Sequence, residues 1–271
     1  MDFKIGIVEW AFPFPGPYGL KIAADMGIEG MELDFGDYET GFKLSNPVIQ
    51  KAYLECGREY GVEFPSIALN ALNAHGMRNE RDTYDGMIAV ETIYRGVQAA
   101  ADMGIPIVQV PSFDDGAIKS EEDFWNTCEK VRLACDLAKR HGIVIAFENV
   151  LSAKESLRMI REVGCDNLKI FYDSQNYHLE KGYSQQEILS ELKDHICQIH
   201  IKDGFNQTIS SALLGKGDTG FYKTVQLIKA SHCATWLLLE NYYNQKPLSL
   251  LNADAFSLLE EDIRTVRRAF A

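Results

Sequence analysis

The chain has 271 residues, 27 Lys+Arg against 39 Asp+Glu, a formal net charge of −12 at pH 7, and 46% hydrophobic residues. That composition excludes disordered, collagenous and disulfide-rich classes. The acidic balance argues against a nucleic-acid or anionic-membrane partner, since both require clustered Lys and Arg.

In chain order, short apolar runs at 5–8, 30–33, 63–68, 107–110, 144–147, 168–172, 197–201 and 236–239 predict eight strands. Helical periodicity fills the gaps at 19–26, 47–60, 82–103, 121–141, 152–163, 184–192 and 221–231, and a last helix is expected over 253–270. Ser120 followed by Glu121, Glu122 and Asp123 reads as a helix N-terminus. Gly27, Gly61, Gly104 and Gly142 each stand where a helix ends and a strand is about to begin. Eight strand–helix units in this length predict an α/β chain folded as a single (β/α)8 TIM barrel over residues 1–271. An open doubly wound sheet would call for a Gly-rich phosphate loop after strand one, where Glu9-Trp10-Ala11-Phe12-Pro13 stands instead. There is no run of about 18 apolar residues, so no membrane span is expected. No leader pattern precedes the first strand, and six scattered cysteines form no C-x-x-C pair. Free thiols in a cytoplasmic protein are the expectation.

Barrel enzymes work at the C-terminal ends of their strands. Four predicted strands carry ligand-type residues there: Glu148 after strand five, Asp173 after strand six, His200 near the end of strand seven and Glu240 after strand eight. Like charges about 4 Å apart cost roughly 4 kcal/mol at an effective dielectric near 20, and a divalent cation removes that conflict. The mixed oxygen and nitrogen donors suit Mn2+, Mg2+, Co2+ or Zn2+. Taken singly, Asp173 also fits an Asx-turn leaving its strand.

These residues sit in the motifs Gly30-Met31-Glu32-Leu33, Phe64-Pro65-Ser66-Ile67, Phe147-Glu148-Asn149, Tyr172-Asp173-Ser174, His200-Ile201-Lys202-Asp203, Leu214-Gly215-Lys216-Gly217-Asp218 with Phe221, and Leu239-Glu240. Together they resemble the xylose-isomerase-like TIM-barrel superfamily, and within it the group of D-tagatose 3-epimerases, L-ribulose 3-epimerases and hexulose-phosphate epimerases. The resemblance implies one divalent ion, Mn2+ first, held by Glu148, Asp173, His200 and Glu240, with the two glutamates as an acid/base pair on opposite faces of the substrate. It implies 3-epimerisation of a sugar or sugar phosphate through a metal-bound cis-enediolate, in a homodimer or homotetramer. Aldose–ketose isomerisation of the hydroxypyruvate type and a metal-dependent lyase on an enolisable sugar-derived substrate are the alternatives. Charge and the count of six histidines speak against the superfamily's DNA-repair endonucleases.

Lys202 shares strand parity with His200 and is expected to reach the same end of the barrel, where it binds substrate or pairs with a ligand carboxylate. His178 and Asn176 after strand six, Trp10 after strand one, and Asn70 with His75 after strand three are further candidate substrate contacts. Gly215-Lys216-Gly217 reads as a turn in the loop after strand seven, a place where barrels also hold phosphate. The chain departs from the free-sugar epimerases at Lys154, Asn176 and Gly204-Phe205-Asn206-Gln207, where those enzymes carry Glu, His and an Arg.

Overall fold

A computed structural model describes residues 3–271; the first two residues of the expected 1–271 unit lie outside the described residues. The strands are β1 (Lys4–Val8), β2 (Gly30–Asp34), β3 (Ile67–Ala68), β4 (Ile107–Pro111), β5 (Val144–Glu148), β6 (Leu168–Asp173), β7 (Ile196–Ile201) and β8 (Trp236–Leu239). They follow chain order around a closed barrel, shut by parallel pairing of β1 with β8. The helices are α1 (Gly19–Asp25), α2 (Pro47–Tyr60), α3 (Ala71–Ala74), α4 (Tyr84–Met103), α5 (Glu121–Lys139), α6 (Ala153–Val163), α7 (Asn176–Lys181), α8 (Gln185–Leu192), α9 (Phe221–Ser231) and α10 (Ala255–Phe270). The expected (β/α)8 architecture is therefore the one observed.

Local chemistry explains the helix ends. Ser120 Oγ accepts from the Asp123 amide at 3.1 Å, and Ser152 forms a capping box with Glu155 ahead of α6. Thr83 caps α4, so that helix begins two residues later than the periodicity predicts. Gly27, Gly61, Gly104 and Gly142 all take positive φ, from 68° to 76°, as the helix–Gly–strand pattern requires.

Two features differ from the sequence reading. The third strand is far shorter than 63–68: Glu63 makes one bridge to Gly30, and the ladder resumes only at Ile67. Pro65 lies between them and has no N–H to donate. The short helices α3 and α7 stand where loops were expected, immediately beyond β3 and β6. All six cysteines are free. Among the described residues no helix is long and apolar enough to cross a membrane.

Contacts gather the chain into two halves, which divide inside β2, inside α2, between Glu63 and Phe64, and inside β6. In the half made of Leu33–Glu55 and Phe64–Phe171, Val108, Ile145 and Phe147 are fully buried, as are Ile93 of α4 and Val131 of α5. In the other, Ile7, Ile199, Leu238 and Leu239 are fully buried, with Leu259 and Val266 of α10. There Gly6 faces Gly30 across β1 and β2. A Cβ on Gly6 would stand 2.5 Å from Leu238 Cδ2 and 2.9 Å from the Gly30 carbonyl oxygen. Gly6→Ala is expected to cost about 1–3 kcal/mol by overpacking, read from the urea midpoint; an unchanged midpoint would show the strands part freely.

The last helix is tied in by a buried acid. Asp262 accepts from the Leu214 amide at 2.8 Å, Asn241 Nδ2 at 2.7 Å and Tyr243 Oη at 3.0 Å. Burial outweighs these bonds and pushes its pKa up from 3.8 to about 7. A carboxyl raised on folding stabilises fully below its unfolded pKa, and that contribution is lost as pH rises through the folded value. Stability should therefore fall between about pH 4 and pH 7 from this group, with a flatter urea-midpoint profile in Asp262→Asn.

Candidate metal centre

The strand order brings the four predicted ligand residues together. Glu148, Asp173, His200 and Glu240 are all buried, and each offers one ligand atom within 4.8 Å of the others. Glu148 closes β5, Asp173 closes β6, His200 lies near the end of β7, and Glu240 directly follows β8.

Each side chain is held by a neighbour. His200 and Lys202 point the same way, as their parity requires. His200 Nδ1 lies 3.1 Å from Glu240 Oε2 and 3.9 Å from Asp173 Oδ2. Lys202 Nζ lies 2.7 Å from Glu240 Oε2 and 3.0 Å from Asp173 Oδ2. The indole Nε1 of Trp10 donates to Glu240 Oε1 at 3.0 Å. Gln109 Nε2, on β4, donates to Glu148 Oε2. Asp173 serves two purposes: Oδ1 accepts from the amides of Gln175 and Asn176 at 2.7 and 2.6 Å, while Oδ2 faces Lys202. The Asx-turn and the inward carboxylate are thus the same residue, and the turn starts α7.

The carboxylates are not equivalent. Burial alone would raise the Glu240 carboxyl, but the charges of His200 and Lys202 and their hydrogen bonds hold it well below the usual carboxylate range. For Asp173 burial wins, with help from the Glu240 charge, and its carboxyl is pushed up despite Lys202. Asp173 Oδ2 is buried and takes no hydrogen bond of good geometry, Lys202 meeting it only as an ion pair. The carboxylates of Glu148, Asp173, Glu240 and Glu32 outnumber the cationic side chains beside them, Lys202 and His200, an excess of negative charge that a divalent cation would offset. Oxygen-rich donors with one imidazole fit Mn2+, Mg2+, Co2+ or Zn2+.

The other predicted contacts divide. Trp10 and Lys202 touch Glu240. Asn176 is buried, with its amide on Asp173. Asn70 Nδ2 donates to Asp34 Oδ1 at 3.2 Å. His178, on α7, lies 3.8 Å from Asp218 and about a third exposed, so its near partner is a surface acid. His75 is held between Asp85 at 2.7 Å and Glu39 at 3.3 Å. Two residues that contact the cluster were not singled out for a role from the sequence, Gln109 and Glu32, the latter 2.7 Å from His200 Nε2. The one signal for each is a lone polar residue inside an apolar strand.

A family model described as a xylose isomerase-like TIM barrel matches residues 20–268. The chain is 31% identical over 258 residues to 2-epi-5-epi-valiolone 7-phosphate 2-epimerase of an Actinoplanes species, covering 94% of this chain and 93% of that one. It is 22% identical to L-ribulose-5-phosphate 3-epimerase of Salmonella typhi, covering 88% and 87% of the two chains. Among solved structures, D-psicose 3-epimerase of Clostridium cellulolyticum superposes with a TM-score of 0.78 at 12% identity over 99% of both chains, a likeness of fold.

The loop after β7 is organised around an internal anion. Asp203 Oδ2 accepts from the amides of Gly215 and Gly217 at 2.9 and 3.0 Å, and Oδ1 accepts from Thr219 Oγ1 at 2.7 Å. The Gly215-Lys216-Gly217 turn is therefore a backbone nest filled by the chain's own carboxylate. Asp203→Ala should speed amide exchange at Gly215 and Gly217 by about tenfold or more, since each loses a charged acceptor. Hydrogen exchange checks this, and unchanged rates would show that the loop holds itself.

Proposed function

Because the chain belongs to the xylose isomerase-like TIM-barrel family, we propose that it is a divalent-metal-dependent epimerase. Its substrate is a ketose or ketose phosphate, and its reaction is 3-epimerisation. The observation that carries this reading is the buried convergence of Glu148, Asp173, His200 and Glu240. Relatives named as 2- and 3-epimerases of phosphorylated compounds support an isomerase-class enzyme.

A divalent ion held by those four residues, Mn2+ in this proposal, supplies Lewis-acid polarisation of the substrate carbonyl and so acidifies the neighbouring C–H. The protein's own groups move the proton. Glu240, kept ionised by His200 and Lys202, is in the form that accepts a proton. Glu148 stands at the end of a different strand, with Gln109 holding one of its oxygens. One glutamate removes the proton from one face of the carbon, and the other returns a proton to the opposite face, which inverts the centre. Trp10, hydrogen-bonded to Glu240 and edge-on to His200, walls the site on the β1 side and limits water. Lys202 is placed to pair with a developing substrate oxyanion while it keeps Glu240 charged.

The test is solvent exchange. Incubation of a panel of ketoses and ketose phosphates in D2O should give deuterium at the inverted carbon of one of them. Glu148→Gln and Glu240→Gln should each lower that exchange by about 10²- to 10⁴-fold. Removal of metal with a chelator should abolish turnover, and Mn2+ should restore it. Undiminished exchange in either variant, or in metal-free enzyme, would refute the assignment. NMR of the product separates epimerisation from aldose–ketose isomerisation and from loss of a leaving group.

A further inference from the structure

The loops that leave β2, β3 and β4 are tied to one another by charge. On the β4 side the tie is an arginine. Arg78 Nη2 lies 2.5 Å from Asp115 Oδ1, and Asp115 Oδ2 accepts from the Gly76 amide at 2.9 Å and from Asn79 Nδ2 at 2.7 Å. A guanidinium does not lose its proton in a protein, so this tie is indifferent to pH. On the β2 side the tie is an imidazole. His75 follows α3 and is buried. Its Nδ1 lies 2.7 Å from Asp85 Oδ1, in the first turn of α4, and its Nε2 lies 3.3 Å from Glu39 Oε1, in the loop after β2. Within that loop the Gly41 and Phe42 amides donate to the Tyr38 and Asp37 carbonyls, both at 2.9 Å. The turn ends at Phe42 with φ 59°, a conformation that a bulky residue keeps only where its surroundings enforce it.

The geometry points to His75 as a pH-operated clasp on the barrel rim: protonated, it holds the β2 loop through Glu39 while bonded to Asp85, and neutral, it lets Glu39 go. The count of protons decides this. Ionised carboxylates can only accept, and an imidazolium donates from both nitrogens, so it serves Glu39 and Asp85 together. A neutral ring has one N–H for two acceptors. The shorter contact, to Asp85, keeps that proton, and Nε2 turns a lone pair toward the Glu39 carboxylate. Attraction at Glu39 becomes repulsion, and the turn ending at Phe42 loses one of its restraints. The groups facing the ring are Glu39 and Tyr38 from the β2 loop, and Asp85 and Tyr84 from the start of α4, the two phenol rings packing edge-on at 5.9 and 6.3 Å. Burial pulls the His75 pKa down, but the hydrogen bonds and charges of Asp85 and Glu39 outweigh it and raise the pKa above 6.5. A raised histidine contributes fully below its unfolded value, and the contribution is lost as pH rises through the folded one. The clasp is therefore closed in mild acid and opens on the alkaline side of 6.5. It is independent of the metal centre and of the reaction.

Amide hydrogen exchange reads the clasp directly. Once each rate is divided by the intrinsic rate at the same pH, a loop with no titrating tie shows one protection factor throughout. In the wild type, protection of the Gly41 and Phe42 amides should fall about two- to fivefold between about pH 6 and about pH 9, the range expected for a half-exposed charge pair. The Met87 amide, which donates to the Thr83 carbonyl at the start of α4, should hold its value, because Asp85 keeps its partner. Glu39 is the exposed member of the trio, 68% accessible, so Glu39→Ala removes the tie without touching the core. That variant should show the low, alkaline protection at both pH values, and NMR should find its His75 titrating at lower pH than in the wild type. Equal protection of Gly41 and Phe42 at the two pH values in the wild type would overturn the inference. So would a matching fall at Met87, which would mean general loosening, or a Glu39→Ala variant that keeps the fall or leaves the His75 midpoint unmoved.

Discussion

Three carboxylates cannot share a buried site without positive charge among them. At about 4 Å, each like-charged pair costs roughly 4 kcal/mol at an effective dielectric near 20. Lys202 answers part of that cost by bridging Asp173 and Glu240, and His200 answers another part through Nδ1. The surrounding residues make sense as consequences. Trp10 and Gln109 each hold one glutamate oxygen, the Gln175 and Asn176 amides hold one oxygen of Asp173, and Glu32 holds the far side of the imidazole.

The fold supports that arrangement with polar clasps on the segments leaving β7 and β8. Asn241, next to Glu240, accepts from the Asp203 amide at 3.2 Å and donates to the Ala212 carbonyl and to Asp262. Asp203, next to Lys202, gathers the glycine nest, and Asp262 reaches from α10 to Leu214, the residue before that nest. The two residues that follow Lys202 and Glu240 are thus bound to one network, which fixes where both charged side chains leave the backbone. Such fully satisfied buried networks specify one geometry, whereas partly satisfied ones are costly.

The strands were legible because buried parallel strands read as apolar runs, and the four ligand-type residues were legible because each interrupts or ends such a run. Helix punctuation was equally plain: Ser120 caps α5, and four glycines adopt the expected positive φ. The shortened β3 required noticing that Pro65 removes a ladder donor. The short α7 was concealed because Asp173-Ser174-Gln175-Asn176 carries turn chemistry, which here opens a helix. Glu32 and Gln109 were beyond reach for a simpler reason. Their partners lie 168 and 39 residues away in the chain, and no local spacing reports which side chains a barrel will bring face to face.

The nest around Asp203 has a consequence for ligand choice. Backbone amides of this kind attract any anion, yet here the anion is tethered to the same loop, so its effective concentration is that of an intramolecular partner. A phosphoryl group arriving from solution would have to displace a competitor that never diffuses away. The glycine-rich turn is closed to such visitors by its own covalent connectivity, and an anionic tail on a substrate must find its counter-charge elsewhere along the rim.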